Sequence, residues 1–172
     1  MGGLQGLSHP GFPHLLDQIA DVSVDYLQAQ VAAGVDVIQI FDSWAHLLSV
    51  EQFHRFCLLY LHRFLAAVDV PVIFFMRQAG RYLAHFPCAV SVDWETDLAT
   101  ARLQTAQPLQ GNLHPDLLLG PIAPLQDQVH ALLHAMQKDP AFIVNLGHGI
   151  RPGTSIEAVH HLIAMVKNGV PE

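Results

Sequence analysis

The chain has 172 residues, of which 51% are hydrophobic and only 13% are charged. This composition excludes a disordered chain and a collagen-like repeat, and no run reaches the ~18 uninterrupted apolar residues of a membrane helix. Eight Lys and Arg against 15 Asp and Glu give a net charge of −7, which argues against a nucleic-acid-binding surface because such surfaces need clustered cations.

The residues that most often bind metals are scattered along this sequence. Cys57 and Cys88 form neither a disulfide framework nor a zinc cluster, and we predict both to be inert core residues. The 12 histidines show no metal-ligand spacing, so we expect no metal and no organic cofactor. The first residues lack the basic and then apolar pattern of a signal peptide, which favours a cytoplasmic location.

The first part of the chain predicts a helix, a strand and a second helix. Apolar residues at helical spacing predict the first helix over about His14–Ala33. The short β-branched run Val35–Phe41 predicts a strand. Ser49 and Gln52 form a capping box, which predicts a second helix that continues to about Ala67.

The remainder of the chain alternates strands with shorter helices. The further predicted strands are Val70–Phe75, Ala89–Trp94, Pro108–Asn112 and Phe142–Leu146. Short helical runs are predicted near Asp97–Leu103 and Ala123–Met136. A second capping box, Thr154 with Glu157, predicts the start of a closing helix that ends at about Asn168.

This alternation predicts an α/β fold with five parallel strands and right-handed crossovers. Periodicity alone leaves open a doubly wound sheet or part of a (β/α)8 barrel. Each strand is followed by polar or glycine residues, as at the functional end of such sheets, and this favours the barrel. A closed barrel needs eight strands and about 250 residues. We therefore predict one domain, residues 1–172, that is an incomplete barrel as a single chain.

Several strand-end segments resemble the carboxy-terminal half of the uroporphyrinogen decarboxylase family. They are Gln39–Ala45, Leu109–Pro115 and Asn145–Ile150, in that family's order and at close to its spacings, together with the VPVIFF strand and Val92–Trp94. The resemblance implies cofactor-free decarboxylation of the acetate side chains of uroporphyrinogen to methyl groups. The product would be coproporphyrinogen, an intermediate of haem and other tetrapyrrole biosynthesis.

The sequence departs from the family in two respects. A complete member is roughly twice as long, and the amino-terminal half that holds an aspartate for the pyrrole nitrogens and a tyrosine has no counterpart here. The segment Met76–Leu83 matches a signature from near the family's amino terminus, yet it follows a strand in mid-chain. The sequence leaves open a fragment, a rearranged homologue or one half of a split enzyme.

The resemblance implies a substrate site at the strand ends. It implies His148, between two glycines, as the catalytic residue and Ser43 as a substrate contact, with Phe41 as a cavity wall. Met76–Leu83 adds Arg77 and Arg81, which lie four positions apart and suit bidentate binding of substrate carboxylates. The competing interpretation of these arginines is two surface residues paired with nearby carboxylates, namely Asp93 or Glu95.

The expected partners follow from the same reasoning. We expect a tetrapyrrole substrate, no nucleic acid and no membrane, and either a homodimer or a partner chain that completes the barrel. One alternative is an inactive or split half-barrel that needs such a partner. Another is a corrinoid- or zinc-dependent methyltransferase of the same superfamily, although neither cysteine lies at ligand spacing from a histidine.

Overall fold

The fold consists of one five-stranded sheet with helices between the strands. A computed structural model describes residues 5–169, so both ends of the predicted domain lie outside the described residues. The strands are β1 (Ile38–Phe41), β2 (Val72–Phe75), β3 (Ala89–Ser91), β4 (Leu109–Leu113) and β5 (Phe142–Leu146). All neighbouring strands are parallel, and their spatial order is the chain order.

This consecutive order decides between the two architectures that the sequence left open. A doubly wound sheet reverses direction at a switch point, whereas a barrel winds its strands in sequence. The observed sheet therefore has the topology of a partial (β/α) barrel, as predicted. With five strands, the described residues lack three of the eight that a closed barrel requires.

Helices precede, connect and follow the strands. They are α1 (Phe12–Ala32), α2 (Val50–Phe53), α3 (Leu59–Ala67), α4 (Leu98–Gln104), α5 (Ile122–Met136) and α6 (Ile156–Asn168). A π-helical turn at His54–Leu58 joins α2 to α3, so one predicted helix is a continuous segment with a local bulge. A 3₁₀ helix occupies Ala79–His85 after β2. No helix in residues 5–169 is both long and apolar enough to cross a lipid bilayer.

Local sequence signals explain where several elements begin and end. Both hydrogen bonds of the predicted Ser49–Gln52 capping box are present at the start of α2. Gly34 has a φ of 92° directly after α1, a left-handed conformation that glycine adopts without steric cost.

Two details of the sequence interpretation are wrong. The cap of α6 is Ser155, whose hydroxyl accepts from the Ala158 backbone N–H, and not Thr154 paired with Glu157. The Thr154 hydroxyl instead donates to the Arg151 carbonyl at 2.8 Å. The strand predicted at Ala89–Trp94 ends at Ser91, because the backbone then turns so that Thr96 N–H bonds to the Asp93 carbonyl.

The hydrophobic core lies between the helices and one face of the sheet. Ile38 packs with Leu27 of α1 and Val72 of β2, while Phe74 and Val90 belong to the larger cluster under the later helices. Since strand residues alternate between faces, Gln39 and Phe41 project to the opposite face. That face carries the candidate site.

Candidate functional site

Ser43 and His148 line the same cavity at the carboxyl end of the sheet. Ser43 follows β1 and His148 follows β5, the two edge strands. The cavity has a volume of about 200 Å³. The expectation that these two residues face one cavity is therefore met by the geometry, while their contact with substrate remains a prediction.

Aromatic rings form the apolar part of this cavity. Phe41 and Phe75 are among its lining residues, and their ring centroids lie 5.7 Å apart. The imidazole of His148 stands edge-on to Phe75, also with 5.7 Å between centroids. Phe41 is 67% exposed, so a flat apolar ligand can reach its ring from solvent.

The His148 imidazole has a defined donor and acceptor side. Its Nδ1 accepts a hydrogen bond of 2.8 Å from the Gly149 backbone N–H. In the neutral ring the proton therefore resides on Nε2, because one nitrogen accepts while the other donates. His148 is exposed, which leaves Nε2–H available as a donor to a carboxylate.

The glycine before His148 is required by packing against the protein itself. A Cβ on Gly147 would lie 2.6 Å from the Trp94 backbone nitrogen and 2.9 Å from the Asp93 Cα. A glycine at such a position can also serve the close approach of a ligand to the backbone. The backbone after β3 is instead what approaches Gly147, and this contact fixes where the His148 loop leaves the sheet.

A polar side-chain ladder runs across the sheet face that carries the cavity. Gln110 Nε2 donates to Gln39 Oε1 at 3.2 Å and to Ser91 Oγ at 3.0 Å, and Gln39 and Ser91 line the cavity. Gln110 and Ser91 are 4% and 2% exposed. Sequence reasoning missed this ladder, although polar residues inside otherwise apolar strands were the signal that could have found it.

Arg77 and Arg81 do not line the cavity of Ser43 and His148. Arg77 follows β2 and lies over the Trp44 ring, with Cζ 5.6 Å from its centroid. Its Nε is buried and has no hydrogen-bond partner among the described residues. Arg81, in the 3₁₀ helix, donates to the His46 carbonyl and lies over the Tyr82 ring.

Asp93 does not pair with either arginine. Its carboxylate instead fixes the backbone between Arg77 and Arg81 through hydrogen bonds. Its Oδ2 accepts from the Gln78 backbone N–H at 2.8 Å, and its Oδ1 accepts from the Thr96 hydroxyl at 3.3 Å. Gln78 has a φ of 49°, a conformation that costs free energy for a residue with a side chain. The side-chain amide of Gln78 donates a hydrogen bond of 3.0 Å to Oε2 of Glu95. The surface ion pairs considered from sequence are therefore absent from the described residues.

A second cavity, of about 240 Å³, lies between α1, α3 and β1 and contains Asp42 and Cys57. Burial raises the pKa of Asp42, while a hydrogen bond from the Cys57 thiol partly offsets that effect. Burial and the nearby Asp42 carboxylate raise the pKa of Cys57. Burial also raises the pKa of Cys88 to about 11. Both thiols are buried and disfavour the reactive thiolate, as the sequence predicted.

The fold and the cavity define the class of protein. Parallel β/α units in consecutive order, with a cavity at the carboxyl ends of the strands, are typical of (β/α) barrel proteins that bind a ligand at that end. Within this class the chain belongs to the uroporphyrinogen decarboxylase family, whose family model matches residues 9–169. The resemblance stated from the sequence is confirmed, including its restriction to the carboxy-terminal half.

Individual relatives agree with this assignment. The chain is 46% identical over 165 residues to the uroporphyrinogen decarboxylase of Protochlamydia amoebophila, a match covering 91% of this chain and 45% of that protein. It is 38% identical to the enzyme of the same name from Agrobacterium fabrum, covering 90% and 48%. The chain thus spans about half the length of the curated relatives it matches.

A solved structure has a related fold. A methyltransferase from Methanosarcina mazei superposes with a TM-score of 0.71 at 25% sequence identity. The superposition covers 84% of this chain and 45% of that protein. Both kinds of comparison therefore match this chain to roughly half of a longer protein.

Proposed function

We propose that the cavity of Ser43 and His148 is part of a uroporphyrinogen decarboxylase site. One observation carries the proposal: two motifs that resemble the family, far apart in sequence, contribute to the same cavity. In the proposed role Ser43 and His148 donate hydrogen bonds to a substrate carboxylate, and Phe41 contacts the apolar macrocycle. We further propose that residues 1–172 form one domain.

The proposed reaction requires an electron sink but no metal. Protonation of the pyrrole carbon next to the acetate converts the ring into this electron sink. The bond to the carboxylate then breaks, its electrons enter the ring, and CO2 leaves. A proton added to the resulting methylene gives the methyl group, and the ring carbon returns its own proton. Each acetate therefore consumes one proton net and releases one CO2.

The residues of this chain would bind the substrate and move a proton. In the proposed role, Nε2–H of His148 donates to a substrate carboxylate or passes a proton to the substrate. Arg77 and Arg81 remain proposed partners of spectator carboxylates that extend beyond this cavity. The buried Arg77 Nε, which has no hydrogen-bond partner among the described residues, supports this role for Arg77 alone. Fixed donors and charges of this kind lower the barrier by orienting the substrate and stabilising developing charge.

Binding of uroporphyrin, a stable oxidised analogue of the substrate, tests the proposal. Ser43→Ala and His148→Ala should each weaken binding by about 10-fold or more, because each removes a hydrogen bond to a charged group. His160→Ala, at an exposed histidine of α6, is the matched control and should bind like the parent chain. Equal affinity in all three variants would refute the assignment of this cavity.

Methyl transfer is a second candidate, favoured by the fold of the Methanosarcina mazei methyltransferase. A zinc-dependent reaction of that kind needs about three protein ligands around the metal. Among residues 5–169, no three His, Cys, Asp or Glu side chains lie close enough together to hold a metal ion. The described part of the chain therefore does not fit a complete zinc site. Stoichiometric zinc in the purified protein would reverse this ranking.

A further inference from the structure

The polar side chains that line the cavity at the carboxyl end of the sheet include no carboxylate. They are Gln39, Ser43, Ser91, Asn145 and His148. Among residues 5–169, no Asp, Glu, Lys or Arg lines this cavity, although the chain has 15 acidic residues and a net charge of −7. An anionic group of a ligand therefore meets no like charge on the cavity wall, and it would be bound there without an ion pair to Lys or Arg.

The side chain of Gln39 is oriented so that its nitrogen is left for a ligand. Its Oε1 accepts a hydrogen bond of 3.2 Å from Nε2 of Gln110, and the same nitrogen donates to Ser91 Oγ at 3.0 Å. Both N–H bonds of Gln110 are thus used within the sheet, and Gln110 is 4% exposed, so it fixes the Gln39 carboxamide. Because a carboxamide nitrogen only donates, Gln39 presents N–H donors that have no acceptor among the described residues.

Asn145 and His148 show the same arrangement at the other edge of the sheet. Oδ1 of Asn145 accepts from the Leu146 backbone N–H at 2.8 Å, just as Nδ1 of His148 accepts from the Gly149 backbone N–H. In each side chain a backbone N–H occupies the acceptor atom, and the donor atom, Nδ2 or Nε2, is left for a ligand. Both side chains are exposed. The cavity therefore presents hydrogen-bond donors from both edge strands, and a ligand group that enters it must accept.

The volume and the walls of the cavity limit what enters it. Its volume of about 200 Å³ is below the ~300–1,000 Å³ of pockets that enclose drug-sized ligands, so it holds a single ring and not a whole macrocycle. Phe41 and Phe75 form its apolar walls. Apolar walls and N–H donors in one cavity suit a flat ring that carries an acceptor group.

We infer that Gln39 and Asn145 are further substrate-binding residues, which together with His148 hold the carboxylate of one ring-bound carboxymethyl group. This inference rests on the proposed function and names the part of the substrate that enters the cavity. A carboxylate suits these three side chains because its oxygens only accept, whereas an ammonium group only donates. Hydrogen bonds to an ionised acceptor are also about twice as strong as hydrogen bonds between neutral groups.

Calorimetric titration of the full chain with two small probes tests the inference. Indole-3-acetate carries a carboxymethyl group on a pyrrole ring, and tryptamine carries an ammonium group on the same ring system. Gln39→Glu and Asn145→Asp keep the oxygen that accepts within the protein and replace the N–H donor by a carboxylate oxygen. Gln126→Glu is the matched control, because Gln126 of α5 is exposed and does not line the cavity. Since Asn145 is exposed, Asn145→Asp keeps the test decisive if Gln39→Glu fails to fold.

The parent chain should bind indole-3-acetate in preference to tryptamine. Gln39→Glu and Asn145→Asp should each weaken indole-3-acetate binding about tenfold or more, because each loses a hydrogen bond to a charged group, and each should bind tryptamine more tightly than the parent does. Gln126→Glu should bind both probes like the parent chain. The inference is overturned if the parent binds no indole-3-acetate, if it binds tryptamine equally well, or if Asn145→Asp keeps the parent affinity for indole-3-acetate.

The two proposals fail in different ways. If the probes behave as expected but the parent chain does not bind uroporphyrin, the proposed function is refuted and the donor-lined cavity stands. If uroporphyrin binding depends on Ser43 and His148 while Gln39→Glu and Asn145→Asp leave indole-3-acetate binding unchanged, only the roles of Gln39 and Asn145 are refuted.

Discussion

Arg151 Nε donates a hydrogen bond of 2.8 Å to Oδ1 of Asp116. Asp116 follows β4, and Arg151 follows the glycine–histidine–glycine segment after β5. The pair therefore joins two loops that carry separate family-like motifs. Both side chains are about half exposed, so the pair positions a loop more than it stabilises the fold.

The free energy of unfolding at acidic pH should depend on this ion pair. The hydrogen bond from Arg151 holds the pKa of Asp116 below its ordinary value. The pair stabilises the folded chain above the ordinary pKa of an aspartate, and that contribution is lost as the pH falls through the lowered pKa. Asp116→Asn should thus flatten the profile at acidic pH, from the ordinary pKa of an aspartate downwards. Denaturant titrations of both proteins at each pH measure the difference, and parallel profiles would contradict the assignment.

The two glycines that flank His148 should respond differently to the same substitution. Gly147→Ala should lower the free energy of unfolding by about 1–3 kcal/mol or more, because its Cβ would overlap the backbone of Trp94 and Asp93. Gly149→Ala should be tolerated, since no described atom outside its immediate neighbours lies within 4 Å of the added Cβ. Equal losses of stability in the two variants would show that the close backbone contact is not the reason for a glycine at position 147.

Asp42 should change the pH dependence of stability in the opposite direction to Asp116. Burial raises its pKa, so the folded state holds this proton more tightly than the unfolded state does. Stability therefore falls as the pH rises from the ordinary pKa of an aspartate towards the raised value. Asp42→Asn should remove this part of the profile and make the chain more stable at neutral pH. A variant less stable than the parent at neutral pH would mean that hydrogen bonding outweighs burial at Asp42.

Sequence patterns predicted the features that depend on neighbours along the chain. The capping box at Ser49 and the strand Phe142–Leu146 are observed as predicted, because both arise from local spacing. The polar and glycine residues after each strand favoured the barrel, and the observed chain-order winding agrees with that prediction. The wrong cap at α6 came from two candidate hydroxyls in succession, Thr154 and Ser155, between which spacing alone does not choose.

Features that depend on distant backbone positions could not be predicted in this way. The contact that requires Gly147 comes from the turn after β3, and the ladder at Gln110 depends on the register of three strands. The directions of Arg77 and Arg81 depend on the left-handed Gln78 and on the 3₁₀ helix after it. No periodicity in the sequence encodes those dihedral angles.

Arg77→Ala and Arg81→Ala test whether the segment Met76–Leu83 contributes to substrate binding or only to the stability of the fold. Each substitution should weaken uroporphyrin binding by about 10-fold or more if the guanidinium pairs with a substrate carboxylate. Arg81→Ala should also lower stability by about 1 kcal/mol, since it removes the hydrogen bond to the His46 carbonyl. Arg77→Ala should cost less, because its contact is with the exposed ring of Trp44.

The measurement is fluorescence titration of uroporphyrin at low and high NaCl, alongside denaturant unfolding of each variant. Arg55→Ala is the control, because Arg55 is an exposed arginine whose described contact is with the Phe56 ring. The parent chain should lose affinity as salt rises, and the two variants should lose less, because ion pairing is screened. Unchanged affinity in both variants, together with lower stability for Arg81→Ala, would assign these arginines to the fold and leave Ser43 and His148 as the site.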